Sequence, residues 1–151
     1  MGSIFVLLTL AVLMSSDVQV AAMVGMTEGP TADAMGNVYF TEAVSGRILK
    51  LLPHAYVIMT ADNVGVLVHL GLDTVALNGE GFTTRVKEGD NVTAGQVIIT
   101  YDVPSVEAKG LNPIVPVVVM DEREAGNIVP ADAVAAGADI ASGGALFTAN
   151  K

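Results

Sequence analysis

Two histidines, His54 and His69, are the whole imidazole complement of this 151-residue chain. Both fall in one stretch, LLPHAYVIMTADNVGVLVHLGLDTVALNGEGF (51–82), among apolar and β-branched neighbours where an imidazole is a poor filler. A neutral ring nitrogen is a nucleophile, a proton carrier or a metal ligand, according to what surrounds it. Asp73 follows His69 in HLGLD. A carboxylate there can hold a ring nitrogen or a nearby backbone group and so fix the tautomer. Three readings are open: two satisfied core histidines, a metal pair, or one catalytic unit.

The element that must position them is a hairpin, with 51–72 read as two strands joined near TADN (60–63). A two-residue loop of Ala61 and Asp62 sets His54 opposite His69, with Cβ atoms about 4.5–5.5 Å apart. A loop of Asp62 and Asn63 makes them diagonal neighbours, about 7–8 Å apart on the same face. An odd-length loop would put them on opposite faces. In the even registers, alternation places Ala55, Val57 and Met59 on the core face with Val66, Val68 and Leu70. His54, Tyr56, Ile58, Leu67 and His69 are left on the other face, an apolar surround suited to docking a partner. Tyr56, Leu67 and Val75 are the docking candidates.

The rest of the chain reads as an all-β scaffold. Hydrophobic residues make up 52% and aromatics only 5%, so Val, Ala, Leu and Ile carry the packing. Turn signals recur at EGP (28–30), MGN (35–37), SGR (45–47), NGEG (78–81), EGD (88–90) and AGQ (94–96), with strand-length apolar runs between them. That pattern predicts an antiparallel β-sandwich or barrel. SVEAK (105–109) and ADAVAA (131–136) are the two candidate helical turns. The length suits a single domain over 1–151, and no linker divides it.

The apolar run IFVLLTLAVLM (4–14) is too short for a membrane-spanning helix, which takes about 20 residues. The first basic residue is Arg47, so the run also lacks the basic flank of a secretory signal, and a buried strand or two is expected there. The formal charge of −9, from 16 acidic and 7 basic residues, repels phosphate backbones and argues against nucleic acid as a partner. With no cysteine, disulfides, thiolate metal sites and thiol catalysis are excluded.

EGDNVTAGQVIITYD (88–102) and GADIASGGALFTA (137–149) share one form, a polar start, a glycine turn and an apolar strand. The echo resembles the duplicated hybrid motif of biotinyl and lipoyl carrier domains, a group of zinc peptidases and some bacterial sugar-transport phosphocarriers. The carriers present a lysine at a hairpin tip, and Lys50, Lys87, Lys109 and Lys151 lack that context. The zinc peptidases need a further His-x-His pair, and this chain has no third histidine. Phosphoryl transfer through histidine remains. One imidazole attacks phosphorus, the other stabilises the phosphoryl oxygens, and apolar walls keep water out.

HAYVIMTADNVGVLVHLGLDTVALNGEGF (54–82) resembles the active-site region of the glucose-family enzyme IIA of the bacterial phosphoenolpyruvate:sugar phosphotransferase system. The likeness extends through AAMVG (21–25), AVSGRI (43–48), VKEGDNVTAGQVIITYD (86–102) and NPIVPVVV (112–119), and covers about residues 17 to 150. It implies a cytoplasmic phosphocarrier of the hybrid-motif β-sandwich type. His69 would accept a phosphoryl group from the histidine-containing phosphocarrier protein and pass it to a cysteine of a sugar-specific enzyme IIB domain. His54 would support the transferred group, and contact with the membrane would run only through the IIBC permease. No cofactor is required by this resemblance, although in some members the two histidines share a zinc ion with a partner, which makes His54 and His69 the metal candidates. Leu52, Leu67 and Asn78 stand where the family often has threonine, an aromatic and lysine. A zinc-dependent hydrolase and a non-catalytic binding module on the same scaffold are the alternatives.

Overall fold

In a computed structural model of the chain, the described residues are 19–24, 37–41, 45–120, 126–138 and 145–149. The apolar run 4–14 and the centre of the second glycine-turn repeat (139–144) lie outside them. The strands are β1 (Gln19–Val24), β2 (Asn37–Thr41), β3 (Gly46–Leu52), β4 (Ala55–Thr60), β5 (Gly65–His69), β6 (Phe82–Thr84), β7 (Asn91–Val92), β8 (Val97–Asp102), β9 (Val115–Val119), β10 (Ile128–Pro130) and β11 (Phe147–Ala149). Short helices α1 (Val103–Ala108) and α2 (Asp132–Ala135) fall at the two expected places, and a 3-10 turn spans Thr74–Leu77.

The strands form a six-stranded sheet in the order β1-β9-β5-β4-β3-β7, a three-stranded sheet β2-β8-β6 and a ribbon β10-β11. Every pairing is antiparallel. The sheets are open, so the architecture is a sandwich and not a barrel. One core joins the two larger sheets: Ile48, Tyr56, Ile58, Val66, Val68 and Val117 from the first meet Ile99 and Tyr101 from the second. α1 follows directly from β8 because Asp102 caps it, accepting the Ser105 N–H at 3.0 Å, with Pro104 in its first turn. Val103 and Val106 then turn into the core.

The hairpin of β4 and β5 departs from both even registers. Its loop has three residues, Ala61, Asp62 and Asn63. Thr60 N–H donates to the Val64 carbonyl at 3.0 Å, and the Val64 N–H returns to the Thr60 hydroxyl at 3.1 Å. Asn63 takes the left-handed conformation, φ 59°, as the last residue of such a loop requires. Ala55 therefore pairs with His69, Tyr56 with Val68 and Ile58 with Val66. A one-residue change of register exchanges the faces of a strand. Tyr56 and Ile58 consequently lie in the core with Val66 and Val68, while Val57 and Met59 turn away from it. The expected faces hold for β5 and are exchanged in β4 for Tyr56, Val57, Ile58 and Met59, while Ala55 is buried as expected.

Candidate functional site

The odd loop does not separate the histidines, because His54 is not a strand residue. Leu52 pairs with Ala55, and Pro53 and His54 form the two-residue turn between β3 and β4. Proline presets the backbone of such a turn, and His54 leaves the alternation of β4 there. Its carbonyl still accepts the Leu70 N–H at 2.7 Å, which ties the turn to the end of β5. The two rings meet edge to face, with centroids 5.1 Å apart and planes 62° apart. Phe82, the first residue of β6, stands behind His54 with its centroid at 6.5 Å.

His69 ends β5, and the loop that follows orients its ring. Nδ1 lies 2.7 Å from the Gly71 carbonyl oxygen. A carbonyl can only accept, so Nδ1 carries the proton and Nε2 is left with its lone pair. Gly71 adopts φ +83°, and a Cβ there would clash with Thr74 Cγ2 and come within 2.8 Å of the Tyr101 hydroxyl. Only glycine fits. Thr74, fully buried, donates its hydroxyl to the Leu70 carbonyl at 2.6 Å, and the Leu72 N–H donates to the Asn112 carbonyl at 2.8 Å. Both bonds pin the loop that carries Gly71.

Asp73 does not take the orienting role expected of it. It sits exposed in the left-handed conformation, φ 59°, ahead of the 3-10 turn, where its carbonyl accepts the Ala76 N–H. Among the described residues no hydrogen bond joins its carboxylate to either ring. The orienting acceptor is backbone, which the residue types alone do not reveal. The glycine two places after His69 is the signal that could have found it.

The docking candidates divide. Leu67 is half-buried on the His69 face of β5, and Val75 is 62% exposed. Tyr56 is only 2% exposed and faces the core, because the three-residue loop reversed its strand, so its ring presents no docking surface. Leu52, at 42% exposure, adds an apolar side chain at the entrance of the His54 turn.

His54 is held below the ordinary imidazole value of 6.5, first by burial and then by the charge that a protonated His69 would place beside it. His54 is thus biased toward neutral imidazole. As metal ligands the two rings could supply two positions of the four zinc usually takes. Among the described residues no group of three His, Cys, Asp or Glu is placed to hold a metal. Among them, too, no helix is long and apolar enough to cross a membrane. The arrangement suits a nucleophilic Nε2 beside a second, mainly neutral imidazole.

A family model described as phosphoenolpyruvate-dependent sugar phosphotransferase system, EIIA 1, matches residues 16–125. The glucose-specific EIIA component of Oceanobacillus iheyensis is 40% identical over 78 residues, which are 50% of this chain and 47% of that protein. The sucrose-specific EIIBCA component of Pediococcus pentosaceus is 43% identical over 75 residues, 50% of this chain but 12% of that one. The matched stretch therefore spans about half of the first relative and a small part of the second. Among solved structures, glucose permease IIA from Mycoplasma capricolum superposes with a TM-score of 0.55 at 31% identity, over 65% of this chain and 61% of that one.

Proposed function

Since the chain belongs to the EIIA 1 family of the phosphoenolpyruvate-dependent sugar phosphotransferase system, we propose that it carries phosphoryl groups on Nε2 of His69. The observation that carries this reading is the 2.7 Å bond from Nδ1 to the Gly71 carbonyl, which leaves Nε2 as the one nucleophilic nitrogen of that ring. Nε2 attacks the phosphorus of a phosphohistidine on the histidine-containing phosphocarrier protein. The donor N–P bond breaks and its electron pair returns to the donor imidazole. A cysteine thiolate of an enzyme IIB domain then attacks the same phosphorus, the Nε2–P bond breaks, and its electron pair returns to the His69 ring. His54 donates an N–H to the phosphoryl oxygens as charge builds on them. The half-buried surroundings limit access of water to the phosphohistidine.

Fusion of IIA to IIB and IIC units in relatives such as the EIIBCA component supports a IIB partner. Leu67, Val75 and Leu52 offer that partner an apolar face. The reaction so written belongs to the cytoplasm, where phosphoenolpyruvate is made. It uses only side chains of this chain and of its partners. A zinc ion at the pair would need a partner's carboxylate beside His54 and His69, and would hold the two proteins together.

Incubation with phosphoenolpyruvate, enzyme I and the phosphocarrier protein, followed by intact mass, tests the reading. One added phosphoryl group is expected, and none on His69→Ala. Labelling that survives His69→Ala would overturn it.

A further inference from the structure

We infer that Tyr101 is a positioning residue for both histidines at once, its hydroxyl end set against Gly71 and its ring backing Phe82 behind His54. Tyr101 lies in β8 of the second sheet, fully buried, and pairs directly with Phe82 of β6. The two rings stack, with centroids 5.0 Å apart and planes 11° apart. Phe82 in turn meets the His54 ring edge-on, and His54 meets His69. At the other end, the hydroxyl lies 2.8 Å from where a Gly71 Cβ would stand, and the Gly71 carbonyl holds His69 Nδ1. The contacts close a circuit from one histidine to the other through a single side chain.

An ordinary core tyrosine fills space. This one touches the support of each histidine with a different part of itself, the tip for His69 and the ring face for His54. Burial, and then the Glu107 charge, push its hydroxyl above the ordinary value of 10, so the tip stays a neutral O–H throughout the working range. A shift of the ring would move both supports together and change the spacing of the pair. Transfer onto and off Nε2 of His69, with His54 donating to the phosphoryl oxygens, is sensitive to such a change, since a displacement of about 1 Å can cost roughly a hundredfold in rate.

The consequence for transfer rests on the phosphocarrier reading, but the geometric claim does not. The test uses the full chain with Tyr101→Phe, Tyr101→Leu and Phe82→Leu. Ring nitrogen signals of both histidines are read by NMR, and uptake from the phosphocarrier protein and onward transfer to a IIB domain are timed separately. Tyr101→Phe keeps the stack and should shift the His69 signals alone, slowing uptake more than onward transfer. Phe82→Leu should shift the His54 signals first and slow onward transfer. Tyr101→Leu should shift both and slow both steps by roughly tenfold or more.

Unchanged His69 signals in Tyr101→Phe would overturn the hydroxyl half of the inference, and unchanged His54 signals in Phe82→Leu the ring half. These two variants decide the matter even if Tyr101→Leu fails to fold. Wild-type protein that takes no phosphoryl group would sink the phosphocarrier reading alone, because the ring signals need no donor.

Discussion

The His69 ring is tethered at Nδ1 to the Gly71 carbonyl, 2.7 Å away and only two residues along the chain. The tether depends on a backbone conformation, φ +83°, that sets the carbonyl oxygen against the Nδ1 edge of the ring. The ring at the end of β5 is therefore oriented by the loop that follows it, and whatever disturbs that loop disturbs the proton on the imidazole.

Gly71→Ala should be costly on two counts. The left-handed backbone penalises any side chain, and the new methyl meets Thr74, Tyr101 and Asn112. Together these should destabilise the fold by about 2–5 kcal/mol. Urea unfolding gives the cost, and histidine ring NMR should show His69 losing its single tautomer.

Thr74→Val keeps the shape of a fully buried side chain but leaves the Leu70 carbonyl without its 2.6 Å hydroxyl donor. A loss of about 1–3 kcal/mol is expected, and Thr74→Ser should restore most of it. A Thr74→Val variant as stable as the wild type in denaturant would show that the bond contributes nothing.

The depressed pKa of His54 makes stability depend on pH in one direction. Below the ordinary value of 6.5 the unfolded chain binds the proton first, so stability present at neutral pH falls as the pH drops from 6.5 toward the lower folded value. His54→Gln should flatten that slope in denaturant titrations. His69→Gln removes the second cause of the depression, so NMR titration should find His54 moved upward, with the part due to burial remaining.

Val75 and Tyr56 should behave as opposites. Val75→Asp alters an exposed side chain and should change stability by no more than about 0.5 kcal/mol. If the apolar face docks the partner, the same change should raise the KM for the partner protein and spare kcat. Tyr56→Ala empties a core position and should cost about 3–5 kcal/mol in denaturant unfolding.

The parts legible in the sequence were those written in residue type. Glycine turns marked the ends of strands, Val66 and Val68 alternated correctly into the core, and both helical turns stood where the sequence placed them. The pairing of His54 with His69 was also legible, but by a route that failed in detail. Counting back from a two-residue loop gave the wrong face for β4, because Asn63 adds a left-handed residue to the loop. Asparagine is one of the few residues that accept that conformation, so the signal was present. Pro53 likewise marked the turn that removes His54 from the strand. The Gly71 carbonyl was not legible as a partner, since every residue carries the same acceptor and only the fold decides where it points. The Tyr101 bridge was hidden for a related reason, as it spans two sheets whose packing no local spacing encodes.

The Pro53–His54 turn fixes the pair from its own end of the hairpin, through the Leu70 N–H on the His54 carbonyl. The exposed loop 61–63 closes the opposite end, past the last rung between Met59 and Gly65. Extra residues placed there should leave those rungs and the histidine turn in place, because the buried Tyr56, Ile58, Val66 and Val68 hold the register. The loop is in consequence the natural port for a fluorophore, an affinity handle or a fused reporter, because it lies on the same hairpin as His69 yet takes no part in holding its ring.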